Sequence, residues 1–142
     1  MSEKERVQTL LDEGIKFAEM MLMEHQEFHP FGWAMDSNFD PISVAMDMGV
    51  EFPPAQEKIE AYFDTFRREA LAGNYIATAI FYDVRVVPPN SEIKSDAVAV
   101  ALDDVNGFSR LVFKPYQLKD GELIFGDTFV YSGKNRIFGK PS

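Results

Sequence analysis

Ser95-Asp96-Ala97-Val98-Ala99-Val100-Ala101-Leu102-Asp103 alternates without a break, and Asn106-Gly107 follows it before Phe108-Ser109-Arg110-Leu111-Val112-Phe113-Lys114. Successive side chains of a strand point to opposite faces, so Val98, Val100 and Leu102 share one face and Ala97, Ala99 and Ala101 the other. Asn-Gly is the strongest short hairpin signal, because both residues tolerate the positive φ angles of a tight primed turn. Phe108 to Lys114 is then the returning strand. An antiparallel sheet is the frame, and its alanine row leaves room for a helix to approach closely.

The flanking segments extend that frame. Asn74 to Val87 is a β-rich run closed by Pro88-Pro89-Asn90-Ser91, while Leu123 to Phe125 and Thr128 to Tyr131 read as shorter edge strands around Gly126. Upstream, Ile59, Tyr62, Phe63, Phe66 and Ala70 form a helical stripe after Pro53-Pro54, and Gly73-Asn74 stops it. Phe31, Trp33 and Met35 share one strand parity and Ile42, Val44 and Met46 another, with the turn formers Asp36 to Asp40 between them.

The chain opens on a helix. Ser2 and Glu5 match a capping box, and Val7, Leu10, Leu11, Ile15, Ala18, Met21 and Leu22 recur at helical steps. Glu3, Arg6, Asp12, Glu13, Lys16 and Glu19 are assigned to the opposite, solvated face. The helix is expected to stop near His25, ahead of Pro30. The predicted order is α-β-β-α-β-β-β. It describes a single α+β domain, residues 1–142, with one antiparallel sheet and two helices packed on one face.

Composition narrows the function classes. Of 142 residues 46% are hydrophobic and 26% charged, which suits one globular core. The net charge of −9 repels phosphate backbones, so nucleic acid is not an expected partner. The basic residues Lys134, Arg136 and Lys140 read as a solvated tail. Cysteine is absent, which excludes thiolate metal sites and cysteine nucleophiles. The charged N-terminus lacks an apolar leader core and no stretch is long enough to span a membrane, so a cytoplasmic location without membrane association is expected.

Motifs that carry chemistry are sparse. His25 and His29 stand four residues apart, but Glu27 is one position from where a zinc-protease pattern needs it and Pro30 interrupts the helix. Asp36, Asn38 and Asp40 mimic the start of a calcium loop, yet Pro41 stands where glycine is required. A hairpin turn uses the same residues, so no metal and no cofactor is expected. Phosphate-loop and nucleophile-elbow patterns are missing, and no catalytic residue is assigned.

A polar patch is the better candidate. Asp83 and Arg85 share a strand face, and with Asp96, Asp103 and Arg110 from neighbouring strands they form either cross-strand ion pairs or a ligand site. Aromatic residues gather at Phe28, Phe31, Trp33 and Phe39. Most are assigned to the core, with Phe28 and Phe39 as alternative anchors for a partner.

Phe28-His29-Pro30-Phe31-Gly32-Trp33-Ala34-Met35-Asp36 resembles the Phe-x-Pro-Phe-(Gly/Ala) strand of small, uncharacterised bacterial α+β proteins. Asp83-Val84-Arg85-Val86, Lys94 to Val98 and Lys114-Pro115-Tyr116 resemble later segments of the same group. The resemblance implies a bacterial cytoplasmic α+β protein and carries no catalytic residue or function with it.

The expected function is non-catalytic binding, as an immunity-like or regulatory partner of another protein, with the acidic surface suited to a basic partner. Small acidic α+β domains serve as immunity proteins, an analogy at the level of fold. A long exposed edge strand would pair with a twin in a homodimer. The alternative is a small-molecule-binding protein or an enzyme. It would use ligand-binding residues Asp83, Arg85, Asp96 and Arg110, with a pocket between sheet and helices lined by Trp33 and Tyr62.

Overall fold

The structure is a computed structural model that describes residues 1–49 and 53–139. Helix α1 (Glu3–His25) starts where the capping box predicts, with the Ser2 hydroxyl oxygen accepting the Glu5 N–H at 3.1 Å. It stops at Gln26, whose φ of 64° turns the chain and whose N–H closes on the Leu22 carbonyl. Val7, Leu10, Ala18 and Leu22 are buried, as their spacing requires.

Arg6 departs from the expectation. Assigned to the solvated face, it is buried, and Nε and Nη2 each donate to the Asp104 carboxylate at 2.7 Å. Its partner lies 98 positions away, beyond the reach of any helix pattern.

The strands are β1 (Phe31–Asp36), β2 (Pro41–Val44), β3 (Tyr75–Val86), β4 (Ser95–Asp104), β5 (Ser109–Lys119), β6 (Glu122–Phe125) and β7 (Phe129–Ser132), with α2 (Ala55–Leu71) between β2 and β3. They form one seven-stranded sheet in the order β2-β1-β3-β4-β5-β6, and β7 also pairs with β5. Every pairing is antiparallel. The observed order is therefore α-β-β-α-β-β-β-β-β: β6 and β7 are the two short edge strands expected at Leu123 to Phe125 and Thr128 to Tyr131, which the predicted order α-β-β-α-β-β-β leaves out.

The β4–β5 hairpin forms where Asn106-Gly107 predicts, but not as a two-residue primed turn: the Gly107 N–H closes on the Asp104 carbonyl at 2.9 Å around Val105 and Asn106, and of these turn residues only Gly107 has a positive φ, 93°. Strand β5 runs past Pro115, where the sequence suggested an end near Lys114. The reason is geometric. Pro115 accepts from Gly126 N–H at 2.8 Å, on the side where β6 gives way to β7, and its missing donor falls in that gap.

The two helices do not share a face. Ala77, Ala79 and Phe81 of β3 and Val98, Val100 and Leu102 of β4 pack with the buried stripe of α1. Ile80 and Ala101, of the opposite parity, pack with Tyr62, Phe63 and Phe66 of α2. Alternation along each strand places these two clusters on opposite sides of the sheet. Two glycines mark the close approaches: a Cβ on Gly14 of α1 would enter the Phe81 ring, and one on Gly32 would lie 2.7 Å from Phe66 and 2.8 Å from Tyr62.

Edge strands β2, β6 and β7 are four residues each, while the long β4 and β5 are interior. The long exposed edge expected to pair with a twin is thus not formed by these strands, since short edges offer few free backbone groups. No helix among the described residues is long and apolar enough to cross a membrane.

Candidate functional site

The register and the packing do not bring all the expected site residues together. Arg85 pairs with Asp96, and Asp96 with Tyr116, so these side chains form a row across β3, β4 and β5. Arg85 and Asp96 make an exposed ion pair at 3.4 Å. Asp83 lies beside the row and accepts the Tyr116 hydroxyl at 2.7 Å. Burial pushes the Asp83 carboxyl above the ordinary aspartate range, and the Tyr116 hydrogen bond pulls it part of the way back. Tyr116 is raised in turn, first by burial and then by its bond to Asp83. An open cleft there is lined by Glu27, His29, Asp83, Arg85 and Asp96.

Arg110 does not join them. It pairs with Leu102, six residues along β4 from Asp96, which is roughly 20 Å at strand rise. Its guanidinium lies 4.4 Å from the Phe108 ring centroid and donates to the Ser109 carbonyl. Trp33 and Tyr62 do not share a pocket either. Trp33 packs on the α1 side, whereas Tyr62 is buried on the α2 side, its hydroxyl donating to Val44 at 2.8 Å. Asp103, grouped with the patch in the sequence reading, has alanine-row parity and faces α2.

That inversion creates a different site. Between α2, the sheet and the segment after β7 lies a cavity of about 260 Å³. Ile59, Phe63, Tyr82, Ala101 and Leu111 line its apolar part, and Asp103, Ser109 and Asn135 its polar end. Ala101 helps because its short side chain leaves the floor open beside the α2 ring residues. Asp103 is 3% exposed and accepts the Ser109 hydroxyl at 2.8 Å, and Ser109 Oγ accepts the Asn135 N–H at 2.9 Å. Burial pushes the Asp103 carboxyl upward, with Ser109 and Arg136 opposing that shift. Tyr82 is likewise raised by burial. Asn135 Oδ1 is buried without a hydrogen-bond partner.

Residues read as a solvated basic tail close the cavity. Arg136 grips the Glu60 carboxylate at 2.7 and 3.4 Å and lies 3.8 Å from the Phe63 ring centroid. Arg67 Nε donates to the Arg136 carbonyl, and Ile137 is buried beside α2. Lys134 lines the rim, and Lys140 lies outside the described residues. The signal for this site was present but oblique: alternation puts Asp103 in register with Ala97, Ala99 and Ala101, away from Asp96.

The other candidates resolve structurally. Asp36 Oδ1 accepts the N–H groups of Asn38 and Asp40 at 2.9 and 3.1 Å, a turn that organises itself. Among the described residues, no group of three or more His, Asp or Glu side chains is arranged to hold a metal ion. Phe28 is in the core, and Phe39 is exposed at the turn with φ 66°. Compared with protein-family models, curated proteins and solved structures, the chain shows no match, so the resemblance of Phe28 to Tyr116 stands on those segments alone.

Proposed function

We propose that the protein binds a small molecule in the cavity beneath α2. The carrying observation is the pairing of an apolar floor with one buried polar end, where Asn135 Oδ1 has no protein partner and Asp103 sits at low exposure. Ligand sites combine a largely apolar lining with a few placed polar groups in this way. The volume matches about nine waters at bulk density, which sets the ligand at fragment to small-metabolite size. This cavity lies on the α2 face, and none of Asp83, Arg85, Asp96 and Arg110 lines it.

A metabolite library screened by thermal shift tests it, with Ala101→Leu filling the floor. The expected result is a compound that raises the melting temperature of the native chain but not of the variant. If no compound does so, or if the variant responds equally, the cavity is not the site.

A second reading keeps a protein partner, regulatory or immunity-like. Phe17, Met20 and Met23 are exposed at three-residue steps on α1 of a chain with net charge −9. An adaptable Met-rich stripe in an acidic setting suits a basic amphipathic partner. Met20→Glu with Met23→Glu should release such a partner from the tagged protein while leaving the fold intact. A partner retained by the double variant would sink this reading.

A further inference from the structure

At the polar end of the α2-face cavity the donors next to Asp103 are already engaged. Ser109 gives its hydroxyl proton to Asp103, and the Asn135 N–H is spent on Ser109 Oγ. Asn135 Oδ1 remains an acceptor with no protein partner, in a cavity also lined by Asp103, whose carboxyl group has further acceptor capacity. Buried polar atoms are normally satisfied, so a site left in this state is matched to something that brings hydrogens.

The remaining walls fix the rest of the molecule. Tyr82, Ala101 and Leu111 make a flat floor from three adjacent strands, with Ile59 and Phe63 of α2 opposite. Such a slot accepts a planar or narrow apolar body. Two cations also line the cavity, and Arg136 acts on Asp103 from there without a hydrogen bond to it. Arg136 is held by Glu60 and Phe63, and Lys134 stands at the rim. The net charge of −9 draws cations toward the molecule from a distance.

We propose that this cavity takes a small primary amine or amidine with a flat apolar body, its cationic end hydrogen-bonded to Asp103 and to Asn135 Oδ1. The proposal rests on the small-molecule reading above and specifies the ligand class for the same site. The amidine or ammonium supplies N–H donors for these acceptors, and its charge meets the one carboxylate at the buried end.

Titration calorimetry of the full chain with benzamidine and benzylamine tests it, with benzoate and benzyl alcohol as controls of the same body. Saturable binding is expected for the cations and none for benzoate. Asp103→Asn keeps the Ser109 acceptor and should weaken benzamidine by about tenfold or more, the loss of a charge-assisted bond. Asn135→Asp adds negative charge at the unpartnered acceptor and should tighten it.

Benzoate binding in preference, or benzamidine unaffected by both substitutions, would overturn the amine assignment while leaving a small-molecule site in place. No binding by any of the four probes overturns the amine assignment too. The library screen then decides separately whether the cavity binds small molecules at all. If Asp103→Asn fails to fold, Asn135→Asp still decides: unchanged or weaker benzamidine binding refutes the proposal.

Discussion

Arg6 and Asp104 show how much of the stability rests on single side chains. The Asp104 carboxylate is inaccessible and takes both Arg6 donors, and it also accepts the Asn106 N–H at 2.9 Å. The pair therefore ties the first turn of α1 to the β4–β5 hairpin. Arg6→Ala leaves a buried carboxylate without its counter-charge, and urea unfolding should show a loss of about 3 kcal/mol. Asp103 acts in the opposite sense. Its carboxyl is raised by burial, so the unfolded chain gives up that proton first as pH climbs. The stability it contributes is complete below the ordinary aspartate value of about 4 and falls as pH rises through the higher folded value. Asp103→Asn removes that titration. The stability of the variant relative to the native chain should accordingly grow as pH rises above about 4, the ordinary aspartate value, measured by urea unfolding at each pH. A difference independent of pH would show that Asp103 ionises alike in both states. Neither role was legible locally, because Arg6 looks like any polar helix position and its partner comes from the far end of the chain.

At the scale of elements, α1 and α2 each meet the sheet through a glycine. Gly14 admits the Phe81 ring, which is itself stacked on Phe31 with centroids 4.7 Å apart. Alanine favours a helix by about 1 kcal/mol over glycine, but a methyl there collides with a fully buried ring. Gly14→Ala should therefore lower the melting temperature despite the better propensity, and a rise would mean that Phe81 can move aside. The elements themselves were largely readable. Ser2/Glu5 marks the start of α1, Asn106-Gly107 the tight hairpin and Gly73 the end of α2, each a local backbone requirement. Pro115 misled the reading because its tolerance depends on which neighbour β5 has at that point.

Across the whole molecule, a sheet covered on both faces has its most protected hydrogen bonds in β3 and β4. Residues Ala77 to Phe81 and Ala97 to Val100 are buried without interruption. Native-state hydrogen exchange should find these amides opening only with global unfolding, and those of β7 and residues 133–139 opening earlier. Equal protection in β7 would contradict that hierarchy. The two apolar rows on one strand, valines with leucine against alanines, fit coverage on both faces, although the expectation put both helices on one. By itself the sequence determined the class, the helices, the central hairpin and the rows of each strand, because each follows from periodicity or from a turn's backbone needs. Only the tertiary structure decided which helix covers which row. That choice placed Asp103 with Asn135 in a cavity, left Arg85 and Asp96 as an exposed pair, and set Trp33 and Tyr62 on opposite sides. Strand alternation states that two residues are on different faces. Which face meets α2 is settled by packing among segments distant in the chain.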